Sequence, residues 1–539
     1  MNPKMVIIVI TAALASLLEI IDSSIVNVAI PTMMGNLGVT LDEISWVSTG
    51  YMIANSIVLP IAAWFGTRLG RKNYFTGAIL AFTGASFLCG IAPNLPTLIV
   101  FRIFQGLAGG ALLPTSQTLI QEQFPREKAG MATAVFGMSV MIGPALGPTL
   151  GGYLTDNFGW RSIFNINIPL GLLAAFMSYL HVDNIKNDLP EKAAEKAEAA
   201  GAIGPDFTAP LKKPKQPGVD WFGLLFLSVG VGCFQFIMER GETEGWWSSH
   251  LIQVLSIFAA TGITSFIWWE LRVPHPIMNL RLFKKNAVSS GTLLMLTLGV
   301  MIYSLTFVIP IFVSRVIDLT AMQTGMLFLP GSIITIFIMY GVGQSMRFMN
   351  PKHLVIIGMC LAEAALFSMS RFTTATSGSA LYLPLILRGV ASGFLFIPIN
   401  GMVLSQFRGE ELGQVSGMMN FFRQIGGSVG IASLSTMLTR FSVQNYSNIM
   451  TKVSVFSPAA LATYWGAHAL PLSKFSSGIG LGTPDAIAIK ALNGRVQSQV
   501  FILSFQDLCW VIMGLFALAF IPLYLIKAKK LQAPVADSH

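Results

Sequence analysis

Long apolar runs separated by short polar segments dominate the chain. A helix that crosses a bilayer needs about 20 mostly apolar residues, and fourteen runs approach or exceed that length. We number the predicted spans 1 to 14, at about residues 5–30, 46–65, 74–92, 97–119, 131–153, 162–182, 220–239, 250–270, 287–313, 323–345, 353–370, 379–404, 413–439 and 499–526. An outer-membrane barrel would instead show segments of about ten residues with alternating polarity. The pattern therefore predicts an all-α polytopic membrane protein.

An internal repeat organises these spans. Residues 127–147 (EKAGMATAVFGMSVMIGPALG) align with residues 410–430 (EELGQVSGMMNFFRQIGGSVG) at an offset of 283. The aligned segments belong to spans 5 and 13, which run in the same direction, as expected for two six-helix halves separated by one inserted helix pair. We therefore expect an N-terminal six-helix bundle at 1–185, a cytoplasmic linker at 186–219 and an inserted pair with its loop at 220–286. A C-terminal six-helix bundle at 287–539 would include a periplasmic loop at 441–499.

Composition and charge agree with this arrangement. With 53% hydrophobic and only 11% charged residues, the chain has too little polar surface for a soluble domain of its size. Most of the 34 Lys and Arg residues fall in loops on the side of the two termini, which predicts that both termini are cytoplasmic. Because the basic residues are scattered among short loops, the net charge of +9 indicates membrane orientation and not a nucleic-acid partner.

Two acids in span 1 are the leading candidates for proton coupling. Glu19 and Asp22 are three residues apart and therefore share one face of a helix. A charged carboxylate in hydrocarbon costs at least about 2.5 kcal/mol, so such acids usually face a polar cavity and often bind protons. A purely structural, hydrogen-bonded acid is the alternative for each. Glu363 in span 11 and Asp507 in span 14 are further candidate proton or cation sites, and a structural role is equally open for both.

Arg102 in span 4 is the candidate partner of Asp22, and Gln105 follows it on the same helix face. A buried guanidinium needs a carboxylate or carbonyl partner. The alternative is an arginine that only ties two helices together. Arg388 and Arg423 need such partners as well, and the sequence does not assign them.

Span 5 carries a glycine every fourth residue, at Gly143, Gly147 and Gly151, with Pro144 and Pro148 between them. Small residues at this spacing allow close helix approach, and the prolines remove hydrogen bonds and bend the backbone. The alternative to a hinge is ordinary helix packing.

The turn between spans 2 and 3, GTRLGRK at 66–72, contains Gly66, Arg68, Gly70 and Arg71. Its basic residues are consistent with a gating loop. They are equally consistent with charges that only orient the chain in the membrane.

Taken together, these segments resemble the major facilitator superfamily, and within it the 14-helix drug:proton antiporters of the EmrB/QacA type, especially EmrB-like exporters. The resemblance covers nearly the whole chain. It rests on DSSIVNVAIP (22–31), RIFQG (102–106), GPALGPTLGG (143–152), WRSIFNINIPLG (160–171), DWFGLL (220–225), ERGETEGW (239–246) and NFFRQ (420–424). One departure is Thr67, which stands before Arg68 where the family usually has an acid.

The resemblance implies a proton-coupled antiporter that exports lipophilic or amphipathic compounds by alternating access. Asp22 would be the proton-coupling acid with Arg102 as its partner, and the Gly-Pro stripe of span 5 would be the hinge of an antiporter. Asn27, Gln105, Asn420 and Arg423 would line the substrate cavity. The alternatives are a facilitator, or an exporter of one endogenous metabolite or lipid-like molecule.

The implied location is the bacterial inner membrane. The partners would be a lipophilic substrate, protons, membrane lipid, a periplasmic adaptor (membrane fusion protein) and an outer-membrane channel, with the loop at 441–499 as a docking surface. No cofactor beyond the proton gradient is expected, because the chain has no GxxxxGK[ST] element for ATP. The six histidines form no HExxH or other metal-ligand spacing, which argues against an enzyme.

Overall fold

The structure is a computed structural model that describes residues 3–125, 128–183, 220–274, 276–317, 321–374, 376, 378–451, 462 and 484–525. All regular secondary structure within these ranges is helical, so the predicted all-α class is confirmed. The predicted linker at 186–219 lies outside the described residues. So does the middle of the predicted loop at 441–499, since only residue 462 is described between 452 and 483.

Within the described ranges, each predicted span corresponds to one α-helix or to two consecutive α-helices. The helices are α1 (Pro3–Leu37), α2 (Leu41–Ile44), α3 (Trp46–Val58), α4 (Ala62–Leu69), α5 (Arg71–Gly90), α6 (Leu95–Gly109), α7 (Leu112–Gln123), α8 (Ala129–Phe158), α9 (Ser162–Asn165), α10 (Asn167–His181), α11 (Trp221–Arg240), α12 (His250–Glu270), α13 (Asn286–Val316), α14 (Ala321–Ser345), α15 (Pro351–Met369), α16 (Tyr382–Leu404), α17 (Gly409–Met450), α18 (Pro484–Ala517) and α19 (Phe520–Leu525). Short 3-10 turns lie at Trp246–Ser248, Leu280–Lys284 and Gly378–Leu381.

Ten helical segments in the described residues are long and apolar enough to cross a bilayer, and α3 with α4 forms an eleventh if the bent pair is one span. The remaining predicted spans correspond to α5, α8 and α17. These three helices contain polar and small residues, which lower the mean hydropathy of each helix. Such residues are accommodated there because they face neighbouring helices. In α17, for example, Asn420 and Ser428 are about 4% exposed and form hydrogen bonds to side chains of other helices.

Two of the spans are broken by proline. Span 2 bends by 60° between α3 and α4, where Pro60 lacks the N–H that a continuous helix would use. Span 4 is interrupted between Gly109 and Leu112, because Pro114 cannot donate to the carbonyl of Gly110. The second break leaves backbone N–H groups at the start of α7 without helical partners.

The sequence repeat reappears as a packing repeat. A side chain on Gly143 of α8 would meet the Cβ atom of Ile20 in α1 at 2.7 Å. A side chain on Gly426 of α17, 283 residues later, would meet the backbone carbonyl carbon of Leu296 in α13 at 2.8 Å. Equivalent glycines therefore bring the fifth helix of each predicted half against the first helix of the same half.

The first ten helices and the last seven pack directly against each other toward one end of the bundle. We call this end the basic end, because it carries the turn at residues 66–72. We call the opposite end of the bundle the far end. A side chain on Gly130 of α8 would lie 2.8 Å from the carbonyl oxygen of Gly343 in α14. One on Gly413 of α17 would lie 3.2 Å from Ala63 in α4. These glycines close the basic end by permitting backbone contact.

The inserted pair, α11 and α12, crosses at two glycines. A side chain on Gly230 would lie 2.9 Å from the carbonyl carbon of Gly262, so neither position has room for one. On its other sides α11 contacts α3 and α17. The ring of Phe236 in α11 lies 5.3 Å from that of Trp46 in α3, and Gln235 donates to the Ser428 hydroxyl of α17 at 2.6 Å.

Beyond α11, polar contacts at the far end join both sides of the bundle. Arg240 donates to the Ser45 hydroxyl that precedes α3. The Thr436 hydroxyl of α17 donates to Glu242 at 2.6 Å and accepts from the Trp246 indole N–H at 3.0 Å. The inserted pair thus bridges the start of span 2 and the outer part of span 13.

Glu242 lies in the loop after α11, and its ionised form is favoured. Partial burial acts to raise the pKa of Glu242, but hydrogen bonds with Thr436, Trp246 and Thr439 outweigh it and hold the pKa below its ordinary value of 4.5. Its contribution to stability is therefore present above pH 4.5 and is lost as the pH falls below that value.

We predict that Thr436→Val lowers the thermal unfolding temperature of the purified protein at pH 7, because it removes two hydrogen bonds and about 1 kcal/mol of stability. The difference from the unmodified protein should shrink as the pH falls below 4.5, since Glu242 then becomes neutral. Thr261→Val is the matched control, because the exposed Thr261 hydroxyl bonds only to carbonyls of its own helix. Equal shifts for the two variants would contradict the bridge.

Candidate functional site

A buried ion pair between α1 and α6 is the centre of the site. Arg102 Nη1 lies 2.6 Å from Asp22 Oδ2, and the two side chains are 1% and 0% exposed. Asp22 Oδ1 accepts hydrogen bonds from Gln105 Nε2 at 2.9 Å and from Asn167 Nδ2 at 2.8 Å. The carboxylate is therefore both paired with a cation and fully hydrogen-bonded, as a charge in a low-dielectric interior requires. The sequence predicts Arg102 as the partner of Asp22, and the structure contains that pair.

Arg102 also fixes the neighbouring helices. Its Nε donates to the Val47 carbonyl of α3 at 3.1 Å, and its Nη1 also donates to Gln105 Oε1 at 2.8 Å. The guanidinium carbon lies 4.2 Å from the centre of the Tyr51 ring, within cation–π distance. A single guanidinium thus connects α1, α3 and α6.

Glu19 lies one turn before Asp22 but has a different environment. It is 4% exposed, and it accepts from Asn55 Nδ2 at 2.8 Å and from the backbone N–H of Leu113 at 3.1 Å. That N–H is free because of the break in span 4, so Glu19 satisfies the start of α7. No cation in the described ranges forms a salt bridge with Glu19, although Arg423 is near enough to attract it.

The two acids therefore differ in what protonation would do. Protonating Asp22 would leave Arg102 as a buried cation without its counter-charge, which is strongly unfavourable. Protonating Glu19 breaks no ion pair within 4 Å. The arrangement can accordingly hold a proton on Glu19 while the Asp22–Arg102 pair stays intact.

Glycines of span 4 place these groups together. A side chain on Gly106 would lie 3.0 Å from the Ala54 Cβ atom, and one on Gly110 would lie 2.8 Å from the Val58 Cβ atom. Because neither glycine has a side chain, α3 packs closely against span 4 at the level of Asn55, which donates to Glu19.

The glycine stripe of α8 lies against a different face of α1. The Ser24 hydroxyl donates to the Gly143 carbonyl at 3.3 Å, and the space where a Gly147 side chain would stand is occupied by Ser24. A side chain on Gly151 would lie 2.9 Å from Ile25. The helix is continuous from Ala129 to Phe158, so the two prolines between the glycines do not interrupt it. Whether this stripe acts as a hinge stays a prediction.

A polar cluster joins the two predicted halves at the centre of the bundle. Gln117 of α7 donates to Asn400 of α16 at 2.9 Å and accepts from Ser416 at 2.7 Å and Asn420 at 2.5 Å, both in α17. All four side chains are buried. Sequence reasoning missed Gln117 and Asn400, although they are separated by 283 residues, which is the offset of the repeat.

The residues predicted to line a substrate cavity fall in three places. Gln105 belongs to the Asp22 ion-pair group, whereas Asn420 and Arg423 belong to the interface between the halves. Arg423 donates to the Tyr303 hydroxyl at 3.0 Å. Asn27 is exposed and accepts from Ser48 at 3.3 Å, away from both groups.

The other two predicted acids are not joined to this centre. Glu363 is partly buried in α15, with one carboxylate oxygen lacking a hydrogen-bond partner, and α15 packs on α16 and α18. Asp507 of α18 is exposed and accepts from Asn445 of α17 at 3.0 Å. A proton or cation role for either would be separate from that of Asp22.

The basic turn has an acidic partner outside its own sequence. Gly70 has φ +81°, which favours glycine and allows the chain to reverse between α4 and α5. Arg71 forms an ion pair with Glu122 at the end of α7, and Arg68 lies 5.3 Å from the Trp64 ring. Thr67 donates to the Trp64 carbonyl at 2.9 Å. The acidic partner of the turn therefore comes from the end of α7.

Comparison with known proteins gives one family and several full-length relatives. The family model described as Major Facilitator Superfamily matches residues 12–431. Multidrug export protein EmrB of Escherichia coli (strain K12) is 29% identical over 514 residues, which cover 95% of this chain and 93% of EmrB. Fatty acid resistance protein FarB of Neisseria gonorrhoeae is 29% identical over 502 residues, which cover 93% of this chain and 92% of FarB.

A solved structure is similar over nearly its whole length. The crystal structure of a double-tryptophan variant of XylE has a TM-score of 0.59 to this chain at 13% identity. The alignment covers 98% of this chain and 97% of the XylE chain. At this identity the likeness concerns the fold alone, and it agrees with the fold that the sequence predicts.

We predict that Asp22→Asn destabilises the protein by about 3–5 kcal/mol, because it leaves the Arg102 guanidinium buried without its carboxylate. Adding Arg102→Met should recover part of this loss, since it removes the stranded charge. Denaturant unfolding in detergent measures both effects. Asp156→Asn, at an exposed position near the end of α8, is the control and should change little. Additive losses in the double variant would indicate that the pair contributes nothing as a pair.

Proposed function

The chain belongs to the major facilitator superfamily, and we propose that it is an antiporter that exchanges protons for lipophilic or amphipathic compounds and so exports them. The observation that carries the proposal is the pair of buried acids in α1, of which Asp22 is ion-paired and Glu19 is not. Intramembrane acids of this kind mark proton pathways in transporters. The full-length similarity to a multidrug export protein supports the direction of transport and the kind of substrate.

In this proposal Glu19 accepts and releases the proton. The resulting change in the charge of Glu19 acts on the neighbouring ion pair of Asp22 and Arg102. When Glu19 is ionised, its carboxylate lies one turn from Asp22, which Arg102 neutralises, and Arg423 attracts it. When Glu19 is protonated, the attraction between α1 and Arg423 of α17 weakens. Since α1 and α17 belong to different predicted halves, proton binding would bias their relative position.

Alternating access fits the way the bundle packs. With the basic end in the cytoplasm, the contacts of Gly130 with Gly343 and of Gly413 with Ala63 would close the cytoplasmic side. The ion pair of Arg71 with Glu122 lies at that side too, so the turn would contribute to closure. The glycine stripe of α8 would let α1 shift against it, because backbone contacts present few side-chain barriers.

The proton gradient is sufficient for concentrative export. A membrane potential of 100 mV supplies about 2.3 kcal/mol for each charge moved, and a difference of one pH unit adds about 1.4 kcal/mol. One or two protons could therefore sustain a concentration ratio of roughly 10² to 10⁵ for a neutral substrate.

We further propose that the chain lies in the bacterial inner membrane with both termini in the cytoplasm. Helix α17 continues to Met450, and helix α18 begins at Pro484. Parts of the predicted loop at 441–499 are therefore helical. These extensions would project into the periplasm and form the base of a docking surface for an adaptor that leads to an outer-membrane channel.

We predict that substrate added to proteoliposomes containing the protein causes proton movement, and that Glu19→Gln abolishes it while the substrate still binds. A pH-sensitive dye reports the proton flux, and tetraphenylphosphonium and dodecyltrimethylammonium serve as test substrates. Asp22→Asn should also abolish flux, provided that size-exclusion chromatography shows it to be folded. Asp156→Asn is the control.

Proton movement that survives both Glu19→Gln and Asp22→Asn would contradict the assignment of the coupling site. Substrate flux without any proton movement would favour a facilitator.

A further inference from the structure

The C-terminal half contains a partly buried arginine that has no acidic partner among the described residues. Arg388 of α16 donates from Nη1 to the Thr306 hydroxyl of α13 at 3.1 Å, and its guanidinium carbon lies 5.5 Å from the Phe328 ring of α14. Its Nε is buried without a hydrogen-bond partner. Among the described residues, no carboxylate lies within 4 Å of it.

The internal repeat indicates what is missing. Arg388 follows Arg102 by 286 residues, and Thr306 follows Asp22 by 284, close to the 283-residue offset of the repeat. Arg102 contacts Asp22 on the first helix of the N-terminal half, whereas Arg388 contacts Thr306 on the first helix of the C-terminal half. The position equivalent to the Asp22 carboxylate is therefore occupied by a neutral hydroxyl.

A second cation lies beside the same helix face. Arg423 of α17 donates to the Tyr303 hydroxyl of α13, and Tyr303 is three residues before Thr306, which separates them by about 4.5 Å along the helix axis. The Nε of Arg423 is also buried without a partner. Two guanidinium groups thus face neighbouring positions of α13, and Arg423 also attracts Glu19 of the other half.

We propose that Arg388, with Thr306, binds the carboxylate of an anionic amphipathic substrate. The ligand carboxylate would accept from Arg388 as Asp22 accepts from Arg102 in the other half, and a guanidinium can bind a free carboxylate through two parallel hydrogen bonds. The Thr306 hydroxyl donates to the Ile302 carbonyl of its own helix and accepts from Arg388, so it holds the guanidinium in position, and Phe328 offers apolar surface to the start of the alkyl chain. Arg423 makes the surroundings positive and so favours an anion.

This inference rests on the proposed export function, because it names a substrate class for it. The N-terminal half would hold the exchanged proton and the C-terminal half the anionic head group. FarB, to which this chain is similar, is named a fatty acid resistance protein. That name agrees with a carboxylate substrate, and the binding position at Arg388 is inferred from the contacts above.

The test compares three probes of equal chain length: dodecanoate, its methyl ester and dodecyltrimethylammonium. Their affinities are measured for the full chain in nanodiscs of phosphatidylcholine. Arg388→Gln should weaken dodecanoate binding about tenfold or more, since it removes a charge-assisted hydrogen bond. The affinities for the ester and the cation should change less than about twofold.

Thr306→Asp is the sharper variant, because it keeps Arg388 and supplies the acid found in the other half. The new carboxylate should pair with Arg388 and displace dodecanoate to the same degree as Arg388→Gln. Arg388→Lys should retain part of the affinity through its charge. Arg347→Gln, at an exposed position beyond α14, is the control for the loss of one positive charge.

Unchanged dodecanoate affinity in both Arg388→Gln and Thr306→Asp would overturn the inference, and so would an equal loss for all three probes. Nanodiscs with phosphatidylglycerol form a further arm. If this lipid abolishes dodecanoate binding to the unmodified protein and Arg388→Gln lowers the amount of phosphatidylglycerol that the purified protein retains, the site belongs to a lipid phosphate and the substrate assignment is wrong.

Proton flux driven by dodecyltrimethylammonium separates this inference from the exporter proposal. Normal flux together with dodecanoate binding that does not depend on Arg388 would overturn the site alone. Arg388-dependent binding without flux for any probe would support the site and contradict the exporter.

Discussion

The ion pair between Asp22 and Arg102 constrains the whole N-terminal half. Both side chains are essentially inaccessible, so each hydrogen-bonding group must find a partner within the protein. Those partners come from the Val47 carbonyl of α3, from Gln105 one turn along α6 and from Asn167 of α10. The pair can therefore exist only when four helices are correctly placed, and the small residues of span 4 let α3 approach closely enough. This dependence explains why charge, amide and glycine occur together in α6.

The two halves share a backbone plan but differ in charge. Gln117 and Asn400, equivalent in the repeat, form a hydrogen bond with each other, as residues near an axis that relates the halves would do. Away from that axis the chemistry diverges. The first helix of the N-terminal half has Glu19 and Asp22, whereas the corresponding stretch of α13 has Tyr303 and Thr306 beside two arginines. A proton site and an anion site can thus occupy equivalent places, with Arg102 beside the first and Arg388 beside the second.

The sequence predicts most of the fold because lipid imposes a length on each apolar run. It also predicts the partner of Asp22, since few other cations lie within the spans. It does not predict that Glu19 would satisfy the broken start of α7, because that contact depends on where Pro114 interrupts the helix. Nor does it reveal the acid for Arg71, since Glu122 is 51 residues away along the chain. The polar ends of α17 and α18 read as loop because hydropathy reports burial in lipid and not helix formation.

The inserted pair, for which the sequence suggests no role, meets both halves. Directional hydrogen bonds from Gln235 and Trp246, and to Glu242, join it to Ser428 and Thr436 of α17. Its contact with α3 combines apolar packing between Phe236 and Trp46 with a single hydrogen bond, from Arg240 to the Ser45 hydroxyl. Apolar surfaces can slide with little loss, whereas a hydrogen bond weakens steeply with angle and distance. If the halves rock against each other, α11 should therefore stay with α17 and move along α3. The inserted pair would then cover the seam between spans 2 and 13 throughout the transport cycle. This cover would separate the interior of the bundle from the surrounding lipid at that seam.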